Sequence, residues 1–266
     1  MHRTVSCNLT ADVLAPATLD LQLVVATGEQ RRDERLRVTS DGQPLDPVEL
    51  AAPHGGRLHT LQVAAGRLEV SYRCTVEGGR EVAAPAPLDR ALYLRPSRYA
   101  ESDRLAALAA AELGDVTDPF ALLRAVRGWV GGRLAYVSGS SRGTDGAVDT
   151  ALAGAGVCRD YAHLAVALLR ARDVPARVVS VYAPGLSPMD FHAVVEALVD
   201  GAWWVVDATG LAPRRSFVRI ATGRDAADTA FLSSYGGIVR LDGMAVSAVV
   251  DGDLPCEDED ELLQLA

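Results

Sequence analysis

The first ninety residues alternate between apolar and polar positions. Leu19-Asp20-Leu21-Gln22-Leu23-Val24-Val25 begins as such a run, and Leu36-Arg37-Val38-Thr39 is a second. Leu58-His59-Thr60-Leu61-Gln62-Val63 and Leu68-Glu69-Val70-Ser71-Tyr72-Arg73-Cys74 are two more. A period of two puts every second side chain on one face of a sheet. Turn clusters, Ser40-Asp41-Gly42 and His54-Gly55-Gly56, separate the runs. Short strands at this spacing predict a small antiparallel sandwich or barrel over residues 1–90. No chemical motif stands in it. His54 and His59 are five apart without a partner set, and are expected in surface or strand roles.

Residues 82–98 are rich in Ala, Pro and Arg and read as a linker. From Glu101 the period becomes helical, with Leu105, Leu108, Ala109 and Leu113 on one stripe. Thr117-Asp118-Pro119 is a cap followed by a first-turn proline. The helix it opens carries Phe120, Leu122, Leu123, Val126, Trp129 and Val130. A loop of small residues follows over 138–146. The expected units are thus a β unit at 1–90, a second unit at 91–250 and an acidic tail at 251–266.

Gly154-Ala155-Gly156-Val157-Cys158-Arg159-Asp160-Tyr161 leads into an Ala- and Leu-rich stretch that runs to Arg172. Pro175 stops it. Cys158 is therefore expected at or near a helix N-terminus. Unpaired N–H groups and the helix dipole favour negative charge there. A thiolate is the attacking form of cysteine, and the same N–H groups can receive the oxyanion formed when it attacks a carbonyl. The competing reading is a small buried residue at a helix start. His163 lies five positions on, about 140° round the helix at ~100° per residue. It does not share the Cys158 face and reads as structural.

Two apolar runs, within residues 190–199 and 202–209, flank Asp200-Gly201. Asp-Gly between such runs is a strong signal for a two-residue hairpin. With those turn residues, Val199 faces Ala202, Leu198 faces Trp203, Val194 faces Asp207 and His192 faces Thr209. His192 and Asp207 then share a face as diagonal neighbours, within reach of a hydrogen bond. A one-residue slip would undo this. A base needs a fixed tautomer, which a carboxylate on its other ring nitrogen supplies. Glu196 shares the face and is the reserve candidate for that acid.

Composition narrows the partners. Net charge is −9, but the last sixteen residues hold seven acids and no bases, so the rest is nearly neutral. Nothing there points to nucleic acid or an anionic membrane. The like-charge block Glu257-Asp258-Glu259-Asp260-Glu261 is expected to be solvated and mobile. No EF-hand spacing is present. The N-terminus lacks the apolar segment of a secretory signal, so a bacterial cytoplasm is the expected location. The four cysteines, Cys7, Cys74, Cys158 and Cys256, form no C-x-x-C pair, and no metal or organic cofactor is implied. Cys7 and Cys74 are expected buried in strands, and Cys256 lies in the acidic tail. All 26 basic residues are arginine.

Gly156-Val157-Cys158-Arg159-Asp160-Tyr161-Ala162, then Pro175-Ala176-Arg177-Val178-Val179-Ser180-Val181-Tyr182, Phe191-His192-Ala193 and Trp204-Val205-Val206-Asp207-Ala208-Thr209 resemble the transglutaminase-like core in order and spacing. The resemblance spans roughly residues 100–215. It implies an α+β fold: a papain-like core preceded by a small antiparallel β domain, as in many bacterial members. It places Cys158, His192 and Asp207 in the catalytic positions. It leaves the second oxyanion donor open, with Tyr136 and Trp129 as candidates. The implied activity is acyl transfer from a peptide or glutamine amide through a thioester. Water as acceptor would make the chain a cysteine protease or amidase, and loss of the chemistry would leave a peptide-binding module. Protein or peptide is the expected substrate, and the oligomeric state is not legible.

Overall fold

The computed structural model describes residues 1–78, 82, 84–258 and 260–265. Its first unit is two packed antiparallel sheets. The strands before the helices are β1 (His2–Val13), β2 (Ala17–Leu21), β3 (Gln30–Ser40), β4 (Gln43–Leu45), β5 (Val48–Ala51), β6 (Arg57–Val63) and β7 (Gly66–Glu77). Helices α1 (Asp89–Tyr93), α2 (Ala106–Leu113) and α3 (Pro119–Arg133) follow. Then come β8 (Ala135–Tyr136), α4 (Ala147–Ala153), β9 (Ala155–Gly156) and α5 (Cys158–Ala171). The last elements are β10 (Ala176–Tyr182), β11 (Phe191–Val199), β12 (Ala202–Val206), β13 (Val218–Gly223), α6 (Ala226–Thr229), β14 (Leu232–Tyr235) and β15 (Val239–Val250).

The sandwich has the orders β15-β1-β7-β3-β4 and β14-β2-β6-β5. Val5, Cys7, Leu9, Leu19, Leu21, Leu61, Val70 and Cys74 meet in its core. Cys7 and Cys74 are thus buried free thiols in strands, as expected. Residues 1–90 do not complete this unit. β14 and β15, which fall in the segment expected to belong to the second unit, form one edge of each sheet. β15 runs the length of β1, from Arg3 opposite Val250 to Val13 opposite Val239. In its second half only Val246 and Ala248 are buried, so its alternation is muted in the sequence.

The second unit is built on α5. Its residues from Asp160 to Arg170 are all buried. One side meets the antiparallel sheet β12-β11-β10-β13, and α2, α3 and α4 cover the rest. The stripe Leu105, Ala109 and Leu113 packs inward from α2. Asp118 caps α3, accepting the Ala121 N–H at 2.7 Å with Pro119 beside it. Residues 82–98 are more than a linker, since α1 forms there; Ala83 lies outside the described residues. The Arg170 guanidinium holds this segment, donating to the Arg95 carbonyl and the Ser97 hydroxyl, each at 3.0 Å.

The acidic tail departs from expectation; Glu259 and Ala266 lie outside the described residues. Glu257 accepts the backbone N–H and side chain of Arg214, and Leu263 accepts the Val205 N–H at 2.8 Å. Leu265 is buried against Val181, Val194 and Phe217. Leucines that follow the acids, Leu262 and Leu265 among them, supply the apolar surface that a purely charged block lacks.

A buried charge cluster joins the sheet strands. Glu196 on β11 receives Arg177 from β10 at 2.7 Å and Arg219 from β13 at 2.6 Å. Arg177 lies 3.8 Å over the Trp203 ring and reaches His54 of the sandwich at 3.1 Å. His54 therefore sits at the junction of the two units rather than at the surface. His59, in β6, is buried and faces Glu49 at 3.2 Å. Burial opposes the Glu196 charge, but the two arginines outweigh it and hold its pKa down to about 2. The stability this contributes is present above the ordinary glutamate pKa of 4.5 and is lost as pH falls toward 2. Glu196→Gln leaves two buried guanidinium groups without a counter-charge. Urea unfolding at pH 7 should show a loss of about 3–5 kcal/mol; an unchanged midpoint would contradict the assignment.

Candidate active site

The start of α5 is set by a carboxylate that folds back. Asp160 is fully buried and accepts the Val157 N–H at 2.8 Å and the Ser141 hydroxyl at 2.5 Å. Arg159 reaches the same carboxylate at 3.2 Å and balances its charge. Only glycine fits at 156, because a Cβ there would lie 2.6 Å from the Asp160 Cβ. Cys158 is thereby the first residue of the helix, half-buried and carrying a free thiol. Its Sγ lies 4.0 Å from the Phe191 carbonyl oxygen.

β8 and β9 pair in parallel, with Val137 N–H donating to the Gly156 carbonyl at 3.0 Å. This brings Tyr136 to the same helix start. Its hydroxyl lies close enough to Cys158 to interact with it. Burial and then the neighbouring Cys158 push its pKa up to about 12, so it stays a protonated donor. Trp129, the other upstream candidate, is turned away: its indole N–H donates to Glu112 at 2.9 Å.

The hairpin has the expected register. Val199 pairs with Ala202 and Val195 with Val206, across a turn in which Asp200 and Gly201 both have positive φ. The ladder ends there, one pair short of Asp207. Beyond it, His192 Nε2 meets Asp207 Oδ2 at 3.1 Å, with both side chains buried. The reserve acid Glu196 shares the His192 face but is held by the two arginines instead. Thr209, which carried no assigned role, orients Asp207: its N–H and hydroxyl donate to Oδ1 at 2.9 and 2.7 Å. Arg127 of α3 donates to the Asp207 carbonyl at 2.9 Å. An acid followed two residues later by a hydroxyl residue was the available signal for Thr209.

The opposite ring nitrogen, His192 Nδ1, has no hydrogen-bond partner among the described residues, although Cys158 lies close enough to act on the ring. Burial works against a charge on His192, but Asp207 and then Cys158 push its pKa up to about 10. His192 in turn draws the Asp207 carboxyl below its usual value despite burial. The pair is therefore charged on both members at neutral pH. Such an imidazolium stabilises a thiolate beside it. His163 stands apart. It is fully buried, stacked on Tyr99 at 5.3 Å, and accepts the Ala226 N–H at 3.1 Å. Burial lowers its pKa to about 4, as suits a neutral structural residue.

Cys158 and His192 open onto a cleft of about 640 Å³ between the two units. Asp190, Phe191, Phe231 and β14 also line it. Among the described residues no cluster of three or more His, Cys, Asp or Glu is arranged to hold a metal ion. No helix among them is long and apolar enough to cross a membrane.

The ion pair has a measurable signature. The stability it contributes through His192 is full below the ordinary pKa of 6.5 and is lost as pH rises through about 10. Asp207→Asn removes the raising charge and leaves burial to act alone. NMR of the imidazole should show His192 charged through pH 8 in the native protein and neutral at pH 7 in the variant. Equal titration in both would contradict the pairing.

Residues 106–208 match the transglutaminase-like superfamily core. The chain is 34% identical to a protein of Cytophaga hutchinsonii described, provisionally, as a cysteine protease. That match covers 98% of this chain and 96% of the other, with a TM-score of 0.88. An uncharacterized protein of Mycobacterium leprae is 27% identical over 157 residues, and the chain spans only 55% of that curated relative's length. The periplasmic domain of TgpA from Pseudomonas aeruginosa is 24% identical over 76% of this chain and 86% of the other, with a TM-score of 0.44. Full-length likeness to the Cytophaga protein and the core match establish the family: the chain belongs to the transglutaminase-like superfamily.

Proposed function

We propose that this chain is a cysteine-dependent acyl-transfer enzyme acting on peptide or glutamine side-chain amides. Cys158 is the nucleophile, His192 the base and Asp207 the acid that orients it. One observation carries this: a half-buried thiol at a helix start stands beside a buried imidazole whose far nitrogen is held by a carboxylate. That set meets the requirements of an activated thiol.

The chemistry follows from the positions. The Cys158 thiolate, held by the protonated His192, attacks the amide carbon. The carbonyl oxygen becomes an oxyanion, to which the Cys158 N–H and the Tyr136 hydroxyl donate. His192 gives its proton to the leaving nitrogen, the C–N bond breaks, and a thioester remains. Water or a primary amine then attacks, the now neutral His192 accepts its proton, and the thiolate departs beside the restored imidazolium. Asp207 fixes the ring orientation throughout. Water is the acceptor favoured by the description of the Cytophaga relative as a cysteine protease. A chain without lysine cannot cross-link itself through a lysine amine. The substrate is protein or peptide, in a cytoplasm where the four thiols stay reduced.

The test is a set of glutamine-containing peptides incubated with the enzyme, with and without methylamine, and read by mass spectrometry. Peptide cleavage or deamidation is expected without the amine, and an amine adduct wherever it competes with water. Cys158→Ala should lower product formation on the order of 10³-fold or more. Turnover that survives Cys158→Ala or His192→Ala would overturn the proposal.

A further inference from the structure

The open edge of the sandwich faces the catalytic cleft. Among the described residues, β14 is the last strand of its sheet and pairs only with β2. Gln22 N–H donates to the Phe231 carbonyl at 3.1 Å, and Leu232 lies opposite Leu21. In an antiparallel ladder, bonded and non-bonded pairs alternate. Phe231, Ser233 and Tyr235 therefore spend their main-chain groups on β2. The N–H and C=O groups of Leu232 and Ser234 point the other way.

That other way is the cleft. Leu232 shares its sheet face with the core residue Leu21, whereas Ser233 shares the opposite face with Asp20. Yet all residues from Phe231 to Tyr235 line the cleft with Cys158 and His192. Residues from both faces of one strand can border a single cavity when that cavity runs along the strand's edge. A ring contact fixes the distance: Phe231 stacks on Phe191 at 5.2 Å, and Phe191 is the residue before His192. The Phe191 carbonyl oxygen lies 4.0 Å from the Cys158 thiol. Phe191, Phe231, Leu232, Tyr235 and Met244 make much of the wall apolar.

We infer that the acyl-donor substrate is an extended peptide that adds to β14 as a further strand, with large apolar side chains flanking the attacked amide. The occupant follows from the site. An unpaired edge offers alternating donors and acceptors, which an extended backbone satisfies. The edge lies beside the thiol that the acyl-transfer reading makes the nucleophile, and the inference rests on that reading. Main-chain pairing would hold the peptide in register, and the aromatic wall would select its side chains. The β unit thus acts as half of the substrate site rather than as a separate module.

The test is binding without turnover. A fluorescein-labelled heptapeptide with glutamine at its centre and Phe and Leu on either side is titrated into Cys158→Ala by fluorescence anisotropy. Adding Ser234→Pro removes an N–H that the β2 ladder does not use, so the sheet is kept. Affinity should fall about tenfold, as for loss of one backbone hydrogen bond and some crowding. Ser234→Ala keeps the N–H and should bind as before. As a check that needs no folded variant, the peptide is N-methylated at each position in turn. Weakening at every second position is expected. Absent binding, equal loss in Ser234→Ala, or no two-residue period would overturn the inference. Iodoacetamide labelling of the native protein reports the nucleophile independently, so a failure of the thiol assignment is read separately from a failure of the docking strand.

Discussion

The Asp160 carboxylate decides where α5 begins, and the cleft is laid out from that point. By accepting the Val157 N–H it closes the first turn around a residue whose own side chain cannot cap it. Gly156 is the condition for this, since any Cβ would collide with Asp160. The consequence is that Cys158, and no later residue, occupies the first helical position. There the unpaired N–H groups of the helix and the dipole act on the thiol rather than on backbone alone. Asp160 brings a negative charge to the same end, and Arg159 offsets it.

The second constraint is burial. His192 and Asp207 are 1% and 2% exposed, so their mutual charge acts where little solvent screens it. Thr209 satisfies the carboxylate oxygen that His192 does not use. The reserve candidate fails for a related reason. Glu196 is as deeply buried as Asp207, but two arginines take its charge, which leaves nothing to orient an imidazole. Two acids on one face of one hairpin thus have separate duties, structural and chemical, decided by the neighbours on β10 and β13.

Much of this was legible in the sequence, and the part that was not has physical causes. The Cys158 helix, the Asp-Gly turn and its register depend on local rules, namely helix breakers and period-two alternation, and these fix their geometry within a few residues. The shared face of His192 and Asp207 followed from register alone, even though the ladder stops one pair short of Asp207. What stayed hidden was long-range. That β15 pairs with β1 depends on residues more than two hundred positions apart, and its alternation is too weak to announce it. The tail looked like a solvated acidic block, because the pocket of Leu265 is built from residues of β10, β11 and β12 that lie far from it in sequence. Tyr136 could be named as a candidate, but only the β8–β9 bridge distinguishes it from Trp129.

The account turns on whether Cys158 is activated by His192. The most direct measurement is the rate of iodoacetamide alkylation at Cys158 against pH, followed by mass spectrometry in the native protein and in His192→Ala. Rapid labelling well below pH 8 that collapses in the variant is the predicted result. Slow labelling in both proteins that rises only near pH ~8–9, as for an ordinary thiol, would contradict it.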